Sequence, residues 1–358
     1  MTSLSILAIG AALGMLSAQG PLPAQPPASA TTVAPVAPAA LADRIRLLGA
    51  GFDGRVGIAV RSVEDGWQTG WRADELYPQQ SVSKLWVAIT AMDSLDRGKV
   101  RLEDRVTVVR SDLTLFHQPI AAEVLEKGAV VTTIGRLLND AITKSDNTCN
   151  DRLMRSVGGA KAVRAMIAAK ALGRIRFDNG ERLFQSKVAG VTWVQSMAVG
   201  GGFERARDAV PLARRKALID HYIANPSDGA APAAVVEALA RLKQGRLLSP
   251  SSTAYLLNVM GNTRTGKNRL RGGLAPGWSL SHKTGTGQEL GALQAGYNDI
   301  GLITAPDGRS YAVAVMINAT TTPLETRMTL MNEVVRAVVR AHDATAGPPN
   351  FQGFGDNR

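Results

Sequence analysis

The sequence predicts an α+β fold: one antiparallel sheet drawing strands from both ends of the chain, flanked by helices, with the middle of the chain set apart as a helical lobe. Three observations lead there. Extended patterns occur at residues 55–72 and again at 280–317, whereas residues 111–175 are mostly helical in spacing. Asp65-Gly66 and Asp307-Gly308 are turn pairs beside those extended runs. The chain has 358 residues, 45% apolar and 20% charged, enough for a real core in one large domain or two small ones.

In chain order, residues 3–17 form an apolar Gly/Ala-rich run. It is shorter than the roughly 20 residues a spanning helix needs. It reads as the core of a secretory signal over residues 1–20, with small residues near Ala18 and Gly20 for cleavage, although no Lys or Arg precedes it. The mature chain is therefore expected in the periplasm or outside the cell, with no lipid anchor because no cysteine follows the run. Residues 21–40 are Pro/Ala/Thr-rich and read as a linker. The domain is expected over 41–342. It opens with a helix at Leu41–Leu48, then strands at Arg55–Val63 and Trp67–Arg72. A helix from Ser81 to about Arg97 stops at Gly98. Val106–Arg110 is short and extended. Strands follow at Leu280–Thr284, Ala295–Thr304 and Tyr311–Ile317, and an amphipathic helix at Leu324–Val339 ends the domain. Residues 343–358 read as a flexible tail.

Composition removes several function classes. The net charge of +11 comes from scattered Lys and Arg with no basic-aromatic array, which argues against nucleic-acid binding. Cys149 is the single cysteine, so no intramolecular disulfide forms, and it reads as a small buried hydrophobe. His117, His221, His282 and His342 show no metal-ligand spacing, so neither metal nor other cofactor is expected.

Chemistry enters at Ser81-Val82-Ser83-Lys84. In the first turn of a helix the unpaired N–H groups and the positive dipole end favour a developing alkoxide. Lys84, three residues on, lies on the same face, where its amine can take the Ser81 proton. Alone this pattern is weak and equals a capped helix with a solvated lysine. Two further motifs follow in order. Ser145-Asp146-Asn147 begins 64 residues after Ser81, and Lys283-Thr284-Gly285-Thr286 lies near the C-terminal end.

With these three motifs the chain resembles the serine β-lactamase and penicillin-binding superfamily, class A in particular, over residues 41–340. The resemblance implies a five-stranded antiparallel sheet packed with helices, an all-helical lobe and a cleft between them. It implies that Ser81 is the nucleophile and Lys84 a proton acceptor, and that Ser145 passes a proton to the leaving nitrogen. Lys283 would hold a substrate carboxylate and polarise Ser145. Asn147 would contact the side-chain carbonyl of the substrate, and Asp146 would be structural. Gly285 would let substrate approach the strand. Thr284 and Thr286 would line the cleft edge, with the N–H groups of Ser81 and Thr286 as the oxyanion hole. His117 resembles a mouth-lining position. Arg269, fourteen residues before Lys283, matches an arginine that helps hold the carboxylate in some members.

Deacylation of such an enzyme needs a general base on a loop after the Ser-Asp-Asn helix. Counting from the Gly158-Gly159 turn puts Glu181 there, 36 residues past Ser145. Phe184 and Gln185 stand where Leu and Asn are usual, with Gln185 facing the substrate. Asn179 replaces an arginine that normally braces the loop against an aspartate, here Asp228. About 30 extra residues, falling roughly within Ser186–Pro226, extend the loop and include a basic helical run at Phe203–Ile223. The expected protein is a monomer acting on a small molecule, a β-lactam. A DD-peptidase or esterase on the same scaffold, or a sensor that stays acylated, is the alternative. Whether the Glu181 carboxylate comes within a water's reach of Ser81 and Lys84 separates them.

Overall fold

The computed structural model describes residues 35–346. The expected signal segment, residues 21–34 of the linker and residues 347–358 of the tail lie outside the described residues.

Regular structure begins at α1 (Ala39–Ala50), and the chain enters the sheet as β1 (Val56–Ser62) and β2 (Gln68–Trp71). A 3₁₀ turn at Gln80–Ser83 leads into α2 (Lys84–Asp96). The lobe follows: β3 (Arg105–Val109), α3 (Ile120–Lys127), β4 (Ala129–Thr133), α4 (Ile134–Thr143), α5 (Asn147–Ser156) and α6 (Gly159–Ala169). Next come α7 (Glu181–Ala189), α8 (Gly202–Asp208), α9 (Leu212–Ala224), α10 (Pro232–Lys243) and α11 (Pro250–Gly261). The chain returns to the sheet as β5 (Ser279–Thr286), β6 (Glu289–Leu290), β7 (Leu293–Thr304) and β8 (Ser310–Thr320), and α12 (Leu324–Ala346) closes the fold. That last helix runs on through the first residues expected in the tail.

The main sheet is antiparallel in the order β2-β1-β8-β7-β5, with the two-residue β6 paired to β7. Both termini of the domain thus meet in one sheet, with β1 from one end paired to β8 from the other. The lobe carries a two-stranded ribbon, β3 with β4, besides its helices.

Strand β8 shows why the sheet is buried on both faces. Ala312, Ala314 and Met316 belong to the core built with α2, α10 and α11, whereas Val313, Val315 and Ile317 belong to the core under α1 and α12. Alternate residues feed opposite faces, and because both faces are covered the strand reads as one apolar run. Helix α2 runs through the larger core. Every residue from Lys84 to Met92 is buried, so this stretch is enclosed on all sides. Trp278 is half-buried and stacks on Tyr311 at the rim of the second core. No helix among the described residues is long and apolar enough to cross a membrane.

Candidate active site

Ser81 does not sit in the first α-helical turn. It lies in the 3₁₀ turn, and the α-helix proper begins at Lys84. In a 3₁₀ turn residues i and i+3 eclipse one another, so the change brings the two side chains closer together. Lys84 Nζ donates to Ser81 Oγ at 2.7 Å and to Glu181 Oε1 at 2.5 Å. Lys84 is fully buried and Glu181 is 5% exposed, so this charged pair stands almost without solvent beside the hydroxyl.

Glu181 is the first residue of α7, where the helix dipole favours an anion. Gly180 before it has φ +87°, and a Cβ there would meet Met154 Cε at 2.7 Å and Asp151 Oδ1 at 3.0 Å. Only glycine permits the turn that aims Glu181 inward. The Glu181 N–H donates to Asp151 Oδ1 at 3.0 Å. Asp151 was not singled out from the sequence, although it lies one helical turn past Asn147 on the same face of α5. Burial, and next the Glu181 carboxylate, raise its carboxyl to about 6 from 3.8. Between those values the folded state keeps a proton that the unfolded chain has released. Stability therefore falls as pH rises through this window, and the loss is complete above it. Asp151→Asn keeps an acceptor for Glu181 N–H and removes the charge. It is expected to stabilise the protein by about 1–3 kcal/mol at pH 7.5 and by little at pH 4, as read from thermal melts at the two pH values.

Across the cleft, Lys283 Nζ donates to Ser145 Oγ and to Thr284 O, both at 2.9 Å. Burial, and next the charge of Lys84, hold the Lys283 ammonium well below the usual lysine range. Ser145 has φ +60°, a conformation uncommon for serine. Asp146 caps α5, accepting from Cys149 N and Ile120 N at 2.8 Å each. That locks the Ser145 turn to the strip ahead of α3 and accounts for Asp146 as a structural residue. Cys149 is buried, and burial raises its thiol, so it behaves as a small hydrophobe. Asn147 Nδ2 donates to Leu115 O at 2.9 Å, and His117 is exposed at the cleft mouth beside Phe116.

Strand β5 supplies the opposite wall. Gly285 has a reason other than the substrate approach expected from the sequence. A Cβ there would fall 2.2 Å from Gln79 O, so glycine lets β5 close against the segment that carries Ser81. Thr284 Oγ1 bonds Thr265 Oγ1 at 2.7 Å. Arg269 is 9% exposed and spends its guanidinium on protein: Nη1 reaches Gly285 O at 3.1 Å and Asn298 O at 2.7 Å, and Nη2 reaches Thr286 Oγ1 at 2.6 Å. It underpins the strand end at the cleft. The cleft itself has a volume of about 560 Å³, lined by Ser81, Ser145, Asn147, Glu181, Thr284 and Thr286 among others. Among the described residues no group of three His, Cys, Asp or Glu side chains could hold a metal.

The extra segment folds back onto the site. Asn179 does not reach Asp228; it accepts from Arg164 instead. Asp228 is braced by Tyr222 of α9, whose hydroxyl donates to Asp228 Oδ1 at 3.0 Å, and by Gln80 N on Oδ2 at 2.7 Å. Gln80, at φ +54° directly before Ser81, donates through Nε2 to Tyr222 at 2.7 Å. Gln185 Nε2 bonds Gln80 Oε1 at 2.9 Å and Glu181 Oε2 at 3.3 Å, and Gln288 Nε2 bonds Gln185 Oε1 at 2.9 Å. Gln185 is therefore a link between the Gln80–Ser83 turn and Glu181. Phe184 and Tyr222 pack edge to face at 5.6 Å, which seats α9 on α7. Burial raises Asp228 to about 7. Tyr222→Phe keeps the ring contact and leaves Asp228 Oδ1 and Gln80 Nε2 each short of a partner. It is expected to cost about 1–3 kcal/mol of unfolding free energy, measured by denaturant titration.

The class that this fold and cleft define is the class A serine β-lactamase superfamily. A model of the beta-lactamase enzyme family matches residues 40–342, and the chain belongs to that family. It is 26% identical to beta-lactamase VEB-1 of Pseudomonas aeruginosa over 263 residues, 74% of this chain and 77% of that one. It is 27% identical to the extended-spectrum beta-lactamase PER-1 of Pseudomonas aeruginosa over 296 residues, 83% and 85% of the two chains. Among solved structures, a beta-lactamase from Chitinophaga pinensis superposes with a TM-score of 0.69 at 25% identity, covering 85% of this chain and 99% of that one. The TLA-3 extended-spectrum beta-lactamase also gives 0.69 at 25% identity, covering 83% and 96%. Family and fold support a β-lactam hydrolase acting on a small molecule.

Proposed function

We propose that the protein opens the β-lactam amide through an acyl-enzyme on Ser81. Ser81 Oγ attacks the lactam carbonyl while its proton passes to Lys84, which acts as the free amine after giving a proton to Glu181, or to Glu181 through a water. The N–H groups of Ser81 and Thr286 hold the oxyanion; one such donor contributes about 3 kcal/mol in the transition state. Ser145, polarised by Lys283, delivers a proton to the leaving nitrogen as the C–N bond breaks. Glu181 then takes a proton from water, whose hydroxide attacks the ester and releases Ser81. Lys283, Thr284 and Thr286 receive the substrate carboxylate, with Arg269 holding that strand end in place, and Asn147 receives the side-chain amide. His117 lines the mouth.

The observation that carries this reading is Lys84 Nζ bonded at once to Ser81 Oγ and Glu181 Oε1, so that Glu181 can take a proton from Lys84 and leave it an amine toward Ser81. A peptidase or sensor needs the first bond; fast deacylation needs a carboxylate at the second. The apolar segment at residues 3–17 supports export to the periplasm or beyond. The test is turnover of a chromogenic cephalosporin by the purified domain, with intact-protein mass spectrometry on the same samples. Catalytic turnover is expected. A stable adduct at Ser81 without turnover would move the function to peptidase, esterase or sensor, and no adduct at all would refute the acyl-transfer reading.

A further inference from the structure

The cleft contains a second arginine that the sequence motifs do not account for. Arg207 lies on α8, within the extra segment, and lines the same cleft as Ser81 and Glu181. It stands one helical turn past Phe203, on the same face of α8. Phe203 is buried and meets Phe116 edge to face at 5.1 Å, and this contact seats α8 against the Phe116–His117 strip. That strip is tied to Asn147, whose N–H donates to His117 O at 2.9 Å. Arg207 therefore belongs to the wall where Asn147 stands, not to the β5 wall of Lys283, Thr284 and Arg269.

The two arginines of the cleft differ in what they have left to give. Both terminal nitrogens of Arg269 are spent on protein oxygens. Arg207 uses only Nε, on Asp208 Oδ1 at 3.1 Å, and its terminal nitrogens have no partner among the described residues. Asp208 does not neutralise it, because the same oxygen also pairs with Arg215 at 3.2 Å, leaving two guanidinium groups on one carboxylate. The Arg207 side chain is 20% exposed, so its charge acts in a partly dry site. Two carboxylates share the cleft: Glu181 is paired with Lys84, and Glu289 accepts from Gln294 Nε2 at 3.0 Å.

Resting on the proposed β-lactam reaction, we propose that Arg207 is a specificity-determining residue that binds an anionic group on the acyl side chain of the substrate. The nucleus carboxylate is taken at the β5 wall. A side chain whose amide meets Asn147 projects along the opposite wall, and a carboxylate there gains a two-nitrogen, charge-assisted contact.

The test uses two penicillins that differ by a single carboxylate on the side-chain α-carbon, carbenicillin and benzylpenicillin. Second-order acylation rate constants at Ser81 are read by mass spectrometry for the wild type, Arg207→Gln and Arg207→Lys. In Arg207→Gln the carbenicillin-to-benzylpenicillin ratio is expected to fall about tenfold, the scale of one charge-assisted contact, with Arg207→Lys restoring part of it. An unchanged ratio in a folded Arg207→Gln protein overturns the proposal, as does an equal fall for both substrates, which would put Arg207 on the nucleus carboxylate. A wild type acylated by neither penicillin overturns the proposed reaction and this inference with it; acylation with an unmoved ratio overturns this inference alone.

Discussion

Glu181→Gln is expected to stop turnover after acylation. The amide matches the carboxylate in shape and can still accept from Lys84 Nζ, which lies 2.5 Å from Glu181 Oε1. It cannot take a proton from water. Removing a positioned general base of this kind lowers rate by about 10²–10⁴-fold. Acylation retains Lys84 as an acceptor, bonded to Ser81 Oγ at 2.7 Å, so the covalent adduct should accumulate. The measurement is a single-turnover experiment: mass spectrometry should show stoichiometric acyl-protein within the time in which the wild type has cleared its adduct. Release at the wild-type rate would remove Glu181 from the base role. A variant that fails to acylate at all would assign Glu181 to the first proton transfer as well, through the water route.

The parts of this cluster that a single sequence discloses are those fixed by short-range geometry. Ser81 and Lys84 are neighbours because they stand three positions apart, and Ser145-Asp146-Asn147 and Lys283-Thr284-Gly285 are contiguous. Glu181 was reachable only by counting from a Gly-Gly turn, since the local pattern around it is altered. The brace of the extended loop was not reachable. Tyr222 meets Gln80 across 142 residues and Asp228 meets it across 148, and neither contact leaves a local pattern. Asn179, the position that family logic nominated, turns to Arg164 instead, and an aromatic hydroxyl from the extra helix takes the place of the missing guanidinium. Asp151 was legible in principle, one turn past Asn147, but a carboxylate on a helix is ordinarily solvated and nothing in sequence marks this one as buried.

The fold divides along the same line. The strands at both ends and the closing helix were visible from their periodicity and turn pairs. Helices α10 and α11 and strand β4 were not, because their pattern depends on what they cover; of the ribbon only β3 was visible, as the extended run at Val106–Arg110. α2 is the sharpest case: a helix there was legible, but not that the fold buries the residues from Lys84 to Met92 on every side. A helix enclosed in this way gives the nucleophile turn a rigid base, and it is also what takes Lys84 out of water.

That burial sets the second large effect. Lys84→Met keeps an unbranched chain of similar length and deletes the amine nitrogen. Ser81 loses its direct proton acceptor, and acylation is expected to slow by about 10²–10⁴-fold. Stability should drop as well. Glu181 is 5% exposed and would be left without its counter-charge, and removing one partner of a buried pair typically costs about 3–5 kcal/mol. The double variant Lys84→Met/Glu181→Gln separates the two consequences. Neutralising the orphaned carboxylate should return much of the lost unfolding free energy while leaving acylation as slow as in Lys84→Met, because the missing group is the amine and not the charge balance. Denaturant titration and acylation rates on the wild type, both single variants and the double variant form a complete cycle. If the double variant recovers acylation together with stability, Lys84 acts by holding Glu181 in place, and the proton acceptor for Ser81 must be sought elsewhere. If neither single variant loses stability, the buried ion pair is open to water, and the dry environment on which the proposed proton transfers depend does not exist.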